Sequence, residues 1–308
     1  MKMNKIAFFS TSSRPIKSLE ELAKNFEIAL IVTKTDKIIG KSKSPTPNEV
    51  KKFAIDKNIT LFEIDKFNSV KKEELFRLLN EIKPDLCVTF DFGFIVPKSL
   101  FDIPSKGFIN THFSLLPKHR GASAVQFAIL NDDKEFGITY HLIDASLDTG
   151  DIIYQSKFSL DENLNSGQAY EFLFDQASKE ITTIIKKYIN NELRPLPQEH
   201  QEATYTYSKT NPKHTFIFKE DGVIEDGDNE RKIFRKIKAF NPWPLLRVEL
   251  KELLKLKQFS TLHPKNQNEI YLKINDARFI NGCLDITEVT VENGKKLTIK
   301  DFISGYLK

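Results

Sequence analysis

Apolar residues in the first half of the chain form short continuous runs, with segments of helical spacing between them. A run at residues 6–9 is followed by a helical pattern at residues 19–23 and by a second run at residues 28–33. The pattern recurs with a helical segment at residues 70–82 and a run at residues 86–90. Continuous runs predict strands that are buried on both faces. The repeated strand–helix–strand order predicts an α/β fold: a Rossmann-like, mostly parallel sheet with helices on both faces.

The apolar pattern changes near residue 190. A polar stretch with two prolines follows, so we predict a linker at residues 191–207 between a first domain at residues 1–190 and a second at residues 208–308. The second domain contains short alternating runs, such as residues 270–274 and 283–291, with turn residues between them. Several short strands of this kind predict a small, OB-like β-barrel.

Polar side chains stand at the ends of three predicted strands, at residues 10–11, 91–93 and 110–112. Ligands of open α/β sheets bind beyond the carboxyl ends of the strands, so these positions are functional candidates. Asn110 and His112 should project to one face, because side chains alternate along a strand. An Asn amide can donate to an oxygen that gains negative charge, and a His can carry a proton near neutral pH. The pair therefore indicates an acyl-type transfer.

A purely structural role for this pair is the alternative. Asn110 could cap the next element and His112 could be an interior histidine, since polar residues at strand ends often satisfy backbone groups. The chain has no G-x-S-x-G elbow and no H-E-x-x-H motif. Any acyl transfer by this pair would therefore be direct.

The net charge of the chain is only +4, but its basic residues are unevenly distributed. Residues 208–308 hold 19 basic and 14 acidic residues, whereas residues 1–207 hold 27 and 28. A basic domain beside a neutral one hints at a polyanionic partner, because Lys and Arg gain affinity for phosphates by releasing counterions. The two distant cysteines favour neither disulfides nor a thiolate metal site, so the cytoplasm is the expected compartment. The N-terminal apolar run is too short for a signal-peptide core or a membrane span, and no membrane partner is expected.

Three separated motifs resemble the signature of formyltransferases that use 10-formyltetrahydrofolate. They are Asn-Thr-His at residues 110–112, Ser-Leu-Leu-Pro at residues 114–117 and Leu-Asp-Thr-Gly-Asp at residues 147–151. Ala-Phe-Asn-Pro-Trp-Pro at residues 239–244 resembles a signature that opens the C-terminal domain of the methionyl-tRNA formyltransferases in particular. The likeness runs along nearly the whole chain. It implies a catalytic, folate-binding first domain and a tRNA-binding second domain.

The reaction implied by the resemblance transfers a formyl group from 10-formyltetrahydrofolate to the free α-amine of methionyl initiator tRNA, for translation initiation. The amine would attack directly through an oxyanion intermediate. Asn110 and His112 would stabilise the oxyanion, and Asp148 would hold the imidazole and favour its cationic form. Spacing alone does not choose among Asp144, Asp148 and Asp151; the family pattern selects Asp148.

Two further histidines lie near these motifs. The pattern puts His141 in the middle of a strand, and we interpret it as structural. His119 lies in a basic stretch with Lys118 and Arg120, where substrate contact and simple solvation both remain open. We predict that this basic stretch faces outward.

The resemblance also implies two binding surfaces and no metal. The folate co-substrate would be lined by the Ser-Leu-Leu-Pro motif and by the loop after a neighbouring strand, namely Ser114, Leu115, Leu116, Pro117, Phe92 and Gly93. The segment at residues 34–52 has six lysines against two acidic residues. Charge runs are usually solvated, but the family inserts its corresponding loop toward the tRNA acceptor stem. The predicted tRNA-binding residues are Lys37, Lys41, Lys43 and Arg120.

Three features depart from the family pattern. Ser10 stands where Gly is usual, residues 34–52 lack the usual arginines, and residues 240–308 are few for the C-terminal domain. The nearest alternative is a nucleotide-sugar N-formyltransferase, which would share the catalytic residues but need no tRNA-binding domain. A non-catalytic RNA-binding relative conflicts with the intact catalytic residues. A dinucleotide-binding oxidoreductase conflicts with the absence of G-x-G-x-x-G after the first strand. We expect a monomer.

Overall fold

The structure is a computed structural model that describes residues 3–38, 45–208, 214–266 and 269–308. The chain divides into two compact units. The first unit lies within Met1–Arg120, Gly137–Lys157 and Phe172–Ala203, and the second within Gly121–Phe136, Phe158–Glu171 and Thr204–Lys308. Two short segments before residue 190, within residues 121–136 and 158–171, group with the C-terminal residues.

A seven-stranded sheet dominates the first part of the chain. The strands up to residue 159 are β1 (Lys5–Phe9), β2 (Glu27–Lys34), β3 (Lys37–Ile38), β4 (Pro45–Thr46), β5 (Thr60–Ile64), β6 (Leu86–Phe90), β7 (Phe108–His112), β8 (Glu135–Leu142) and β9 (Ile152–Ser159). The order in the sheet is β5-β2-β1-β6-β7-β8-β9; the first five strands pair in parallel, and β8 runs antiparallel to β7. Strands β3 and β4 pair separately. The predicted mostly parallel α/β sheet is confirmed.

Helices accompany these strands in the predicted order, namely α1 (Ile16–Ala23), α2 (Glu49–Asp56), α3 (Ser69–Ile82), α4 (Ala124–Leu130) and α5 (Ser166–Ile189). Phe8 and Phe9 are both fully buried although they point to opposite faces of β1, so both faces of the sheet are covered at its centre. Phe9 packs in a core cluster with Leu75 and Leu79 of α3. Burial of each such ring stabilises the fold by about 1.5–3 kcal/mol.

The C-terminal residues form a four-stranded antiparallel sheet with the order β10-β11-β12-β13. Its elements are α6 (Glu230–Ala239), β10 (Leu246–Glu249), α7 (Leu250–Leu253), β11 (Tyr271–Ile280), β12 (Cys283–Val291), β13 (Lys296–Thr298) and α8 (Ile299–Tyr306). The predicted small β-domain is thus present, with β10 and β13 as its outer strands. Across the residues that the structure describes, no helix has the length and apolar character needed to cross a membrane.

Helix α6 carries three buried cations that carboxylates neutralise. Arg235, Lys236 and Lys238 are nearly inaccessible. Their partners are Asp132 for Arg235, Asp228 for Lys236 at 2.5 Å, and Asp276 for Lys238 at 2.7 Å. Asp132 belongs to residues 121–136, which group with the second unit. Three of the 19 basic residues in residues 208–308 are therefore internal and paired.

Candidate active site

Asn110 lies between two polar residues of neighbouring strands. It is in register with Thr89 of β6 and with His141 of β8, so the three side chains share one face of the sheet. The Thr89 hydroxyl donates to Asn110 Oδ1 at 2.8 Å, and Asn110 Nδ2 lies 3.2 Å from His141 Nε2. The orientation of the Asn110 amide is thus set from both sides.

The ring of His141 has a defined tautomer when it is neutral. Its Nδ1 lies 2.8 Å from the carbonyl oxygen of Leu142, which can only accept, so Nδ1 carries the hydrogen. Nε2 is then an acceptor for one of the two Asn110 amide hydrogens. The second hydrogen on Asn110 Nδ2 has no acceptor among the described residues and remains for a ligand. The structure therefore puts His141 in contact with Asn110, a contact that the sequence pattern did not indicate.

His112 is held in the complementary arrangement. Its Nε2 donates to the carbonyl oxygen of His119 at 3.0 Å, so the neutral ring has its lone pair on Nδ1. That Nδ1 lies 3.7 Å from Asp148 Oδ2, while Asp148 Oδ1 lies 3.6 Å from His141 Nε2. The Asp148 carboxylate thus faces the two nitrogens to which a proton would add. Of the aspartates in this loop, Asp144 instead accepts from Thr149 within the loop at 2.6 Å.

The protonation of His112 is governed by several opposing effects. Burial favours the neutral ring most strongly, Asp148 favours the cation, and His141 opposes it; the net result is that the pKa of His112 is lowered from its ordinary value of 6.5. Asp148 acts in the direction that we expected from the family pattern, but burial outweighs it. His112 is therefore mainly neutral at neutral pH.

Residues 114–117, the predicted folate wall, are held firmly to β8 and β9. The Thr139 hydroxyl donates to the carbonyl of Ser114 at 2.6 Å and accepts from the backbone N–H of Leu116 at 3.2 Å. Gln155 Nε2 donates to the carbonyl of Leu116 at 2.9 Å. Ser114 and Leu116 are buried, while Leu115 and Pro117 are half-buried. The loop is a braced surface, and the bracing residues Thr139 and Gln155 were not predicted.

The other predicted folate residues lie after β6. Phe92 packs edge-to-face against Phe9, with ring centroids 5.5 Å apart, and belongs to the rim of the core. The Gly93 N–H donates to Thr11 Oγ1 at 2.9 Å. Ser10, the departure from the family Gly, is fully buried and its hydroxyl donates to the carbonyl of Ser12 at 3.1 Å.

The lysines of residues 34–52 include three of the predicted tRNA contacts. Lys41 and Lys43 lie outside the described residues, and so does the side chain of Lys37. Two other lysines of the basic segment are ion-paired: Lys51 with Asp36 and Glu63, at 2.8 and 2.6 Å, and Lys52 with Glu49 at 2.8 Å. The positive charge available to a polyanion at residues 34–52 is therefore smaller than the composition indicates.

The prediction that Arg120 faces outward is wrong. Its side chain is 1% exposed, and it donates from Nη2 to Gln198 Oε1 at 2.7 Å and to His200 Nδ1 at 2.9 Å. His119 is buried as well, which leaves Lys118 as the exposed member of the stretch. Acceptors nearly 80 positions away along the chain satisfy the guanidinium, and the local pattern gives no sign of them.

Two segments of the chain match known protein families. Residues 4–185 match the formyl transferase family, and residues 217–307 match the formyl transferase C-terminal domain. The chain is 31% identical to the methionyl-tRNA formyltransferase of Acetivibrio thermocellus, over 98% of this chain and 96% of the relative. It is 32% identical to the methionyl-tRNA formyltransferase of a Hydrogenobaculum species, over 98% and 97%.

Two solved structures share the fold. WlaRD, a sugar 3N-formyl transferase, covers 96% of this chain and 99% of its own, with a TM-score of 0.60 at 21% identity. The methionyl-tRNA formyltransferase from Clostridium thermocellum covers 94% and 98%, with a TM-score of 0.55 at 20% identity. At such identities the likeness concerns the fold alone. The family match over residues 4–185 and the full-length relatives at 31% and 32% identity show that this chain belongs to the methionyl-tRNA formyltransferases.

Proposed function

We propose that this protein transfers the formyl group of 10-formyltetrahydrofolate to the free α-amine of methionine on initiator tRNA. The observation that carries the proposal is the meeting of Asn110, His112 and Asp148 at the end of β7, in a chain with full-length methionyl-tRNA formyltransferase relatives. The proposal includes the following roles for the residues of the site.

The loop at residues 114–117 is the surface proposed for the folate. Its apolar side chains, Leu115 and Leu116, resemble the lining of cofactor pockets, and the hydrogen bonds from Thr139 and Gln155 keep its shape. When bound there, 10-formyltetrahydrofolate supplies an electrophilic formyl carbon. The chemistry of this apolar, hydrogen-bonded loop suits a folate.

Asn110 is proposed to bind the formyl oxygen as that oxygen gains negative charge. Thr89 and His141 orient the amide and use only one of the hydrogens on Nδ2. The remaining hydrogen is therefore presented in a fixed direction before the substrate arrives. Preorganised donors of this kind lower the barrier because no reorganisation accompanies the reaction.

His112 is proposed to move the proton that the attacking amine must lose. The lone pair on Nδ1 takes this proton, and the resulting imidazolium is stabilised by the Asp148 carboxylate and the His119 carbonyl. His112 then gives the proton to the nitrogen from which the formyl group departs. One carbon–nitrogen bond forms, one breaks, and no proton is consumed.

An assay with two acceptors tests the proposed function. The protein is incubated with 10-formyltetrahydrofolate and either methionyl initiator tRNA or an amino-sugar nucleotide, and the formylated product is measured. We expect formylmethionyl-tRNA as the product. Formylation of the sugar alone would overturn the proposal in favour of the sugar N-formyltransferase alternative.

A further inference from the structure

Two buried polar side chains outside the sequence motifs connect the parts of the site. Gln198 lies in the segment predicted as a linker, and Arg120 was predicted to contact tRNA; both are buried. The Gln198 amide uses both ends: Oε1 accepts from Arg120 Nη2 at 2.7 Å and from Nε at 3.3 Å. Its Nε2 donates to the carbonyls of Asp148 and Gly150, at 2.9 and 2.7 Å.

These contacts restrain the backbone of the Asp148 loop. Asp148 has a φ of 51°, a left-handed conformation that non-glycine residues adopt rarely. Gly150 packs so closely on the end of β8 that a Cβ would lie 1.8 Å from the carbonyl oxygen of Leu142. The Gln198 amide thus holds the peptide plane that follows Asp148, one of the two planes that set the direction of its side chain, and a second plane two residues further along the loop.

The segment that carries Gln198 is itself anchored. Leu196 and Ile152 exchange backbone hydrogen bonds of 2.8 and 2.9 Å. Ile152 begins β9 directly after the loop, so the anchor and the loop share one short stretch of chain. The backbone beside Gln198 is therefore fixed relative to the loop that its side chain binds.

Arg120 extends the same network to the other side of His112. It follows His119, whose carbonyl oxygen accepts from His112 Nε2. The Arg120 guanidinium is bound by Gln198 and by His200 Nδ1. One buried network thus places both partners of the His112 ring, the Asp148 carboxylate at Nδ1 and the His119 carbonyl at Nε2.

We propose that Gln198 and Arg120 are positioning residues of the active site, which hold Asp148 and the His119 carbonyl against the two nitrogens of His112. The proposal rests on the proposed function for its kinetic readout. Neither residue contacts the reacting atoms; both act through the backbone on either side of His112. Displacement of catalytic groups by about 1 Å can cost roughly 100-fold in rate, so the restraint has a measurable effect.

The test replaces Gln198 with Glu, which keeps an acceptor for Arg120 and removes the donor to the loop carbonyls. We expect kcat to fall between about 10- and 100-fold, with KM for both substrates unchanged. The matched control is Gln201→Glu, the same change at an exposed position three residues further on, and it should leave kcat unchanged. Equal losses in the two variants, or a change in KM alone, would overturn the proposal.

A double-mutant cycle separates positioning from simple destabilisation. If Gln198 acts through Asp148, Gln198→Glu should have little further effect in an Asp148→Asn background. A structural role would lower the rate by the same factor in either background, and that result would overturn the proposal. The amount of folded protein is measured in each case by thermal unfolding.

A third readout does not depend on formyl transfer. The titratable groups that face His112 are Asp148, His141 and His119; the charge of Asp148 raises the pKa of His112, and so does the hydrogen bond to the His119 carbonyl. Loosening Asp148 should therefore lower the pKa of His112 in Gln198→Leu, which removes the donor to the loop without adding a charge, as followed by NMR and assigned by the signal lost in His112→Asn. An unchanged titration would contradict the positioning role. A shifted titration in a protein that forms no formylmethionyl-tRNA would instead contradict only the proposed function.

Discussion

Buried charges are arranged differently in the two units of this protein. On α6 of the second unit, Lys236 and Lys238 donate directly to carboxylates at 2.5 and 2.7 Å. In the first unit, the Asp148 carboxylate lies 3.6 and 3.7 Å from imidazole nitrogens that carry no hydrogen in the neutral rings. The first arrangement is complete and supports the fold. In the second, burial lowers the pKa of His112 against the effect of Asp148, and perturbed titratable groups of this kind are typical of sites that perform proton transfer.

The largest loss of kcat should come from replacing Asn110, whose amide has a hydrogen left for a ligand. Replacing Asn110 with Ala should lower kcat by about 100- to 1000-fold, because one donor to the developing negative charge is lost. The formylation assay measures this loss, and Asn131→Ala, outside the site at the end of α4, is the control. Near-normal turnover in Asn110→Ala would remove this residue from the catalytic group.

A paired charge on α6 should affect stability and leave catalysis unchanged. The Asp228 carboxylate binds Lys232 and Lys236 at 2.6 and 2.5 Å, so Asp228→Ala should destabilise the fold by about 1.5–3 kcal/mol, since Glu225 remains 3.0 Å from Lys236. Urea unfolding measures the loss, and Asp226→Ala at a neighbouring exposed position should be nearly neutral. A lower kcat per folded molecule in Asp228→Ala would contradict the claim that the paired charges on α6 support only the fold.

The pH dependence of the rate should follow His112. Since its pKa lies below 6.5, the neutral ring predominates at neutral pH, and kcat should fall only as the pH drops below that value and the ring becomes protonated. Asp148→Asn removes the carboxylate that raises this pKa, so the acid limb should move to lower pH while the rate falls about tenfold or more. Rate profiles of the two proteins measure the shift. An acid limb that moves to higher pH would contradict the assignment.

The smallest expected effect concerns the lysines of residues 34–52. Lys41→Ala combined with Lys43→Ala should raise KM for methionyl-tRNA several-fold at low salt and weaken its dependence on salt, since each phosphate contact contributes less than about one unit of slope. Lys52→Ala is the control, because Lys52 is already paired with Glu49. An unchanged KM at low and moderate salt would exclude a tRNA contact by these two lysines.

The sheet and half of the candidate site could be predicted because their signals are local. The runs at residues 6–9, 28–33 and 86–90 lie within strands, since buried strands need consecutive apolar residues. The alternation of side chains along a strand was sufficient to put Asn110 and His112 on one face. His141 was not recognised, because its contact with Asn110 depends on the register between β7 and β8.

The pattern of residues along the chain thus determined the α/β class, the candidate pair Asn110 and His112 on β7 and, through separated motifs, the resemblance to the formyltransferases. These features depend on residues that are close together in the chain. The tertiary structure alone decided that Arg120 is buried against Gln198, 78 residues away, and that Asp148 faces two histidines. It also decided that burial outweighs Asp148 in setting the pKa of His112. Desolvation and contacts between distant segments exist only in the folded chain, so they cannot be predicted from composition or spacing.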